Sequence, residues 1–179
     1  MLEEFRRRPG RAALVQADAD RPWPVRTRSV ALVFASRAAH LLDRYHLVIE
    51  LAQALRPGGV VVLGRVQRDP AGLRSRLRER RRELLGADGH GDRHGDRHGD
   101  GQQQGRRVID ELVLLGAERL PTLTAARWTV VTDPAAVIAN WRTGGRPLSA
   151  AALADLQAWA PAESETEEET YTLDAVRLP

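Results

Sequence analysis

Residues 30–64 read VALVFASRAAHLLDRYHLVIELAQALRPGGVVVLG, and this stretch decides the fold. Its two ends, VALVFAS and VVVLG, are nearly continuous apolar runs, which are typical of strands buried on both faces of a parallel sheet. The amphipathic run from Asp43 to Arg56 predicts a helix between them. Pro57 cannot continue that helix, and the glycines at 58 and 59 permit a left-handed turn into the second strand. A strand, a crossover helix and a parallel strand in this order form a βαβ unit.

The remainder of the chain alternates between predicted strands and helices. Further strands are predicted at 13–17, 126–132 and 170–178, and further helices begin at 69, 106, 133 and 149. This order predicts an α/β fold with a Rossmann-like, mostly parallel sheet, flanking helices and an antiparallel final strand pair. Residues 86–105, GADGHGDRHGDRHGDGQQQG, offer almost no apolar side chain to bury, which predicts a disordered low-complexity insertion. We therefore expect residues 1–179 to form a single domain interrupted by that insertion.

The composition is that of an ordinary globular protein. Of 179 residues, 42% are hydrophobic and 28% charged, and the formal net charge is +3. Cysteine is absent, which excludes a disulfide framework and a thiolate metal site. Neither a signal peptide nor a run long enough to cross a bilayer can be read in the sequence. We accordingly expect a cytoplasmic protein that does not act at a membrane.

Candidate ligand groups lie where the predicted strands end. In open parallel sheets, ligands bind beyond the carboxyl ends of the strands. Three such ends can be named: Ala17-Asp18-Ala19, Ala35-Ser36-Arg37 and Gly64-Arg65. A carboxylate there can accept a hydrogen bond from an exocyclic amine while the next backbone N–H donates to a ring nitrogen, which suits an adenine. The alternative reading of Asp18 is a residue that simply ends a strand or forms a turn.

The run VQADADRPWPVRTRSVALVFASRAAHLLDRYHLVIELAQALRPGGVVVLG resembles the class I S-adenosylmethionine-dependent methyltransferases, in particular the small-molecule branch that includes quinone-biosynthesis enzymes. The matching pieces are a strand end at Asp18, the loop at 21–23, His40, Glu50-Leu51 and the 55–59 segment LRPGG. Each piece alone is a weak signal, but their combination and order are specific. The resemblance covers roughly residues 1–66.

The resemblance implies a cofactor, S-adenosyl-L-methionine, a small-molecule methyl acceptor and a set of site residues. Asp18 would contact the adenine amine, and Ala19 would contribute its backbone amide. Ala35 and Ser36 would lie near the methionine part of the cofactor. His40 would line the acceptor cavity and is the candidate general base, because a base assists when the acceptor is a hydroxyl. The alternative reading of His40 is a histidine that is satisfied by neighbours or merely exposed.

Two departures from the family pattern affect the expected activity. The family's first strand with its glycine-rich loop, and the acidic residue that ends its second strand, do not occur ahead of this segment, and Ala31 stands where the family usually has Asp. We therefore expect an N-terminally truncated methyltransferase with first strands missing and weak cofactor affinity. The unpaired sheet edge would then be covered by a protein partner or a second copy of the chain. The alternative function is a non-catalytic methyltransferase remnant that acts as a protein interaction module.

Three further patterns have alternative interpretations. The His-Gly-Asp repeat could hold zinc or nickel, but its ligands would lack a fixed backbone, so no metal site is predicted. The arginines between 74 and 82 could contact phosphates, but glutamates dilute them and no aromatic residues are interleaved, so a solvated helix face is favoured and no nucleic-acid partner is expected. Tryptophans 128, 141 and 159 could line a substrate pocket, but their positions favour core packing.

Overall fold

A computed structural model describes residues 15–87, 101–142 and 147–179 of the chain. Its strands are β1 (Val30–Ser36), β2 (Leu55–Arg68), β3 (Glu118–Arg119), β4 (Leu123–Thr132) and β5 (Glu165–Arg177). Its helices are α1 (Arg44–Ala54), α2 (Leu73–Ala87), α3 (Gly101–Leu114), α4 (Pro134–Arg142) and α5 (Ala150–Trp159). A single 3₁₀ turn, Ala39–Leu41, lies between β1 and α1.

The sheet confirms the predicted α/β class and the βαβ unit. β1 and β2 run parallel, with Val33 opposite Val61 and Ser36 opposite Gly64. β5 pairs antiparallel with β2, and its other neighbours, β3 and β4, are also antiparallel to it. The last two long strands are therefore antiparallel, as predicted. β5 fills a position inside the sheet, between β2 on one side and β3 and β4 on the other.

The crossover helix begins where the sequence predicts and ends slightly earlier. Asp43 caps α1, since its side chain accepts a hydrogen bond from the backbone N–H of His46. α1 ends at Ala54, and the Pro57-Gly58-Gly59 segment is part of the long strand β2 rather than a separate turn. Gly58 does adopt a left-handed φ of +72°. Its N–H donates to the carbonyl of Leu178, at 3.2 Å, so this segment also holds the C-terminal residues.

Two apolar clusters stabilise the fold. The first lies where α1 and α3 cover one face of the sheet, and Leu51, Val61, Val108, Ile109 and Val176 within it are 0% exposed. The second joins α2, α4 and α5, and its buried members are Leu73, Leu77, Val137, Ile138 and Leu156. No strand residue belongs to the second cluster among the residues that can be described. Helices α2, α4 and α5 therefore pack mainly on one another.

Some predicted boundaries are wrong. The strand predicted at 13–17 is absent from its described part, because residues 15–17 are not in a strand, and residues 13 and 14 fall outside the described part of the chain. The helix predicted from Asp69 begins at Leu73 instead. Asp69 closes a turn, in which its carbonyl accepts from the N–H of Gly72 at 3.1 Å and its side chain accepts from the N–H of Ala71 at 2.9 Å. Asp69 thus accepts hydrogen bonds from the N–H groups of Ala71 and Gly72 within this turn, as it would have done at the cap of the predicted helix.

The helices reach into the segment predicted as a disordered insertion at 86–105. Residues 86 and 87 end α2, and residues 101–105 belong to α3, which begins five residues before its predicted start at Arg106. Residues 88–100, which carry the His-Gly-Asp repeat, lie outside the described residues. None of the helices formed by the described residues combines the length and the apolar character needed to cross a membrane.

The tryptophans occupy less buried positions than predicted. Trp141 packs against the second apolar cluster, as expected for a core residue. Trp128 and Trp159 are 36% and 44% exposed, so the prediction of core packing is wrong for these two. Trp128 lies on β4, where its indole N–H donates to Glu169 Oε2 at 3.2 Å. Its polar contact replaces the apolar one that the sequence pattern indicated.

Candidate functional site

The loop that follows Asp18 is fixed to helix α1 through Trp23. The backbone N–H of Trp23 donates to Glu50 Oε2 at 2.8 Å, and its indole N–H donates to the carbonyl of Ala19 at 3.2 Å. Glu50 is only 8% exposed, so its carboxylate is held in place within the structure. Two separate pieces of the sequence resemblance, the 21–23 loop and Glu50, are thus the two ends of one hydrogen bond.

A second contact brings the same loop to the end of β1. Asp20 Oδ1 accepts from the backbone N–H of Asp43 at 2.8 Å, and the carbonyl of Arg21 lies 3.0 Å from Nε2 of His46. Asp43 is the N-cap of α1 and the last residue of the short segment that links β1 to α1. The loop at 18–23 therefore lies at the carboxyl end of β1, the edge at which parallel sheets bind ligands.

Asp18 itself is a turn residue with an exposed side chain. Its Oδ1 accepts from the N–H of Asp20 at 3.0 Å, and its carbonyl accepts from the N–H of Arg21 at 3.1 Å. Its Oδ2 is 3.9 Å from Nε of Arg21, and the side chain is 65% exposed. Ala19 is half-buried, and within the described ranges its backbone N–H donates to no other residue. The turn thus leaves the carboxylate and the next N–H side by side, with the N–H available to a ligand.

Ser36 ends β1 and contacts a residue that the sequence analysis did not single out. Tyr171, on β5, donates its hydroxyl hydrogen to Ser36 Oγ at 2.6 Å. A side chain on Gly64 would collide with Tyr171, because a Cβ there would lie 2.6 Å from Cζ of the ring. Gly64 therefore allows the tyrosine to cross β2 and reach Ser36. Ser36 is exposed, whereas Ala35 before it is half-buried against the first apolar cluster.

His40 lies on the 3₁₀ turn that directly follows β1, and it is half-buried. Its position in the chain, four residues after Ser36, places it at the same sheet edge. The structure thus gathers the predicted residues of the 18–19 turn, the end of β1 and His40 along one edge.

A nearly buried ion pair lies beside this edge and was not predicted. Arg65 Nε is 2.6 Å from Asp174 Oδ2, with the two side chains 13% and 10% exposed, and Thr122 donates to the other carboxylate oxygen at 2.8 Å. Burial raises the pKa of Asp174, but hydrogen bonds from Arg65 and Thr122 and the charges of Arg65 and Arg106 outweigh it, so the pKa lies below its ordinary value. The signal in the sequence is an arginine that directly follows the run VVVLG and an aspartate between Leu173 and Ala175.

The arginine-rich stretch 65–82 and the glutamate-rich stretch 163–169 face each other in the fold. Glu169, on β5, lies 2.7 Å from Arg68 and 3.4 Å from Arg74. Arg76 pairs with Glu165, and Arg80 with Asp155. The interpretation of this arginine-rich helix as a solvated face is therefore only partly right, because several of its arginines bind carboxylates of the same chain. Groups of His, Asp and Glu suited to a metal ion are not found in the described part of the structure.

Comparison with known proteins agrees with the resemblance stated above. Residues 1–63 match the profile of a family described as "Methyltransferase domain". A protein from Bacillus halodurans that is assigned as a methyltransferase has 15% identity and a TM-score of 0.53 over 93% of this chain and 77% of its own. A protein from Anaeromyxobacter dehalogenans assigned as a type II methyltransferase has 19% identity, a TM-score of 0.44 and coverage of 96% and 74%.

A third solved structure belongs to an enzyme of known substrate. The geranyl diphosphate C-methyltransferase of Streptomyces coelicolor has 11% identity and a TM-score of 0.39, and this chain spans 49% of its length. No curated protein matches the chain. The family match over residues 1–63 and the fold shared with the Bacillus halodurans protein therefore agree with the resemblance of the front part of the chain to methyltransferase domains.

Proposed function

We propose that this methyltransferase-type domain binds S-adenosyl-L-methionine along the carboxyl edge of β1 and β2 and transfers its methyl group to a small-molecule acceptor. The observation that carries the proposal is the double attachment of the 18–23 loop to α1, through Glu50 and Asp43. Because of these contacts, the loop lies at the same edge as the end of β1. The match over residues 1–63 includes all of these elements.

The groups at this edge fit the adenosyl end of the donor. The carboxylate of Asp18 supplies acceptors for an exocyclic amine, and the N–H of Ala19 is available for a ring nitrogen. Ala35 and Ser36 would lie near the methionine part, where the hydroxyl of Tyr171 orients Ser36 Oγ. These assignments extend the residue roles implied by the resemblance.

Methyl transfer requires alignment more than it requires a reactive side chain. The sulfonium group of the bound donor supplies an activated methyl, which moves in line to the nucleophilic atom of the acceptor. Much of the rate enhancement can come from holding the two reactants in that geometry. If the acceptor is a hydroxyl, its proton must leave, and we assign its acceptance to His40.

The proposal includes weak binding of the donor. Residues 1–29 contain neither the family's glycine-rich loop nor an acidic strand end for the ribose hydroxyls. The proposed contacts therefore reach only the adenine, through Asp18 and Ala19, and the methionine part of the donor, through Ala35 and Ser36. We expect weak binding, with a dissociation constant well above the micromolar range that would indicate a complete site.

Calorimetric titration of S-adenosyl-L-methionine into the purified chain tests the proposal. We expect the donor to bind weakly, in competition with S-adenosylhomocysteine, and we expect this binding to be lost in Asp18→Ala. The matched control is Glu163→Gln, which removes one carboxylate from an exposed bend outside the proposed site. Binding that is unchanged in Asp18→Ala would refute the role of Asp18, and a micromolar dissociation constant would refute the proposed impairment.

The second candidate function, a non-catalytic interaction module, is favoured by the exposed side of β1. Leu32 and Phe34 are 56% and 57% exposed, and the outer edge of β1 pairs with no strand in the described part of the sheet. β1 carries neither a charge nor a proline that would prevent pairing with another strand. Sedimentation analysis of the wild type and of Phe34→Lys separates the two functions: a dimer abolished by the lysine, without any donor binding, supports the module.

A further inference from the structure

A cavity of about 420 Å³ lies at the end of the sheet opposite to the proposed methyl-donor site. It is lined by Arg28, two residues before β1, and by the end of α1, the start of β2, the end of α3 and the residues after β5. β1 and β2 are parallel, so their starting ends share an edge that is remote from the carboxyl ends. The cavity is therefore a separate site, and it does not depend on the proposed function. Its volume falls within the range of small-molecule sites.

The cavity has an apolar floor and two cationic groups. Ala52, Leu55, Leu112, Leu115 and Leu178 supply most of the floor, and Leu115 is 65% exposed at its mouth. The cationic groups are Arg28 and Arg56. Within the described residues, neither guanidinium has an ion pair or a hydrogen bond, unlike the arginines of α2 described above, and the carboxylate of Pro179 at the rim pairs with neither.

The backbone fixes Arg28 at the mouth of the cavity. Arg28 has a φ of +53°, which is unfavourable for a residue with a side chain and would be unstrained for glycine. Its N–H donates to the carbonyl of Gln53 at 2.8 Å, and the N–H of Ser29 donates to that of Ala54 at 3.0 Å. These bonds end α1 and hold the loop. A glycine would make the same two bonds without strain, so the bonds do not explain why an arginine occupies the position.

The groups at the cavity that suit an anion are the guanidinium groups of Arg28 and Arg56, which are opposed by the Pro179 carboxylate at the rim and by two helix ends. The C-terminal ends of α1 and α3 point toward the cavity and contribute roughly half a negative charge each. Their last carbonyls accept bonds from local N–H groups, including those of Arg28, Gly116 and Ala117, which weakens this contribution. The two guanidinium groups carry a full positive charge each and present planar donor pairs that suit a carboxylate or a phosphate.

We propose that this cavity binds an amphipathic anion, with the apolar body against the leucines and a carboxylate or phosphate head on Arg28 and Arg56. Decanoate and decyl phosphate serve as probes in calorimetric titrations, with decanol as the uncharged homologue and inorganic phosphate as the head group alone. We expect both anions to bind and decanol to bind at least about tenfold more weakly than they do. Inorganic phosphate alone should give no measurable heat of binding. The relative affinity of the two anions tells which head group the arginines prefer.

Three variants test the assignment of residues. Arg28→Asn with Arg56→Gln should weaken decanoate binding by about tenfold or more, while Arg26→Gln, two residues from Arg28 and outside the cavity, should leave it unchanged. Asparagine is chosen because it tolerates the left-handed backbone. Ala52→Trp, at an exposed position of α1 that lines the cavity, should abolish binding by filling it. Each variant is first checked for an unchanged thermal midpoint.

Three results would overturn the proposal. Equal binding of decanol and decanoate would show an apolar cavity without anion recognition. Decanoate binding that survives Ala52→Trp would show adsorption elsewhere on this basic chain. Absence of binding by either anion to the wild type would also overturn it.

Discussion

Replacing Glu50 with alanine should release the 18–23 loop from α1. The change removes the acceptor for the backbone N–H of Trp23, a bond of 2.8 Å to a carboxylate that is 8% exposed. Loss of a hydrogen bond to a charged group, with the partner left half-buried, costs about 2 kcal/mol. For a chain of this size, the thermal midpoint should fall by about 4–8 °C.

The loop should open more often than the rest of the protein unfolds. About 2 kcal/mol corresponds to roughly a 30-fold rise in the open population. The amide of Asp43 reports this opening, because its bond to Asp20 Oδ1 breaks when the loop leaves. Hydrogen exchange should therefore accelerate by roughly 30-fold at Asp43 in Glu50→Ala. Amides of the sheet centre, such as that of Val61, should remain better protected than Asp43 in both proteins, because they exchange through global unfolding.

A matched control and a clear refutation exist for this experiment. Glu79→Ala removes a carboxylate from an exposed position of α2 that has no hydrogen-bonding partner in the described structure. It should change neither the midpoint nor the exchange of Asp43. If Glu50→Ala also leaves both unchanged, the contact with Trp23 does not hold the loop, and the placement of Asp18 at the sheet edge loses its physical basis.

Two further predictions concern the neighbouring strands. Gly64→Ala should lower the free energy of unfolding by about 2 kcal/mol, because the added methyl group overpacks against Tyr171. Adding Tyr171→Ala to the same chain should recover part of this loss. If urea denaturation finds Gly64→Ala as stable as the wild type, the described packing is contradicted. The lowered pKa of Asp174 means that its ion pair with Arg65 stabilises the fold above the ordinary value of 3.8 and that this stability is lost as the pH falls below it. Asp174→Asn should therefore cost about 3 kcal/mol at pH 7 and flatten the acid limb of the stability curve, and a limb as steep as that of the wild type would refute the assignment.

The βαβ unit could be predicted from the sequence because its signals are local. Two apolar runs, an amphipathic helix and the Pro-Gly-Gly segment lie within 35 consecutive residues, 30–64. The position of β5 inside the sheet could not be predicted in this way. Its partner in β2 is more than a hundred residues distant, as the pairing of Val61 with Val176 illustrates. The alternating apolar and polar residues of β5 define a strand but not its neighbours.

The site was predicted as a set of pieces rather than as an arrangement. The sequence order indicated that Asp18, Ser36 and His40 follow strands or lie near their ends. It did not indicate that Trp23 and Glu50 hold the first of these regions, because a backbone N–H can bond to any nearby acceptor. Tyr171 was missed for a related reason, since only the pairing of β5 with β2 brings it over Gly64 to the end of β1.

The charge distribution along the chain has a structural explanation that the sequence alone did not reveal. Arginines concentrate in β2 and α2, and glutamates concentrate in the first half of β5. In the fold, Glu169 binds Arg68 and Arg74, and Glu167 accepts from the hydroxyl of Thr132 and from the N–H of Arg74. The second apolar cluster contains no strand residue within the described chain, and the contacts of Arg74 with Glu167 and Glu169 are polar contacts that join α2 to the sheet. The basic helix is therefore explained by an acidic strand of the same protein, and its arginines do not require a nucleic-acid partner, whereas Arg28 and Arg56 have no such carboxylate partner within the described residues.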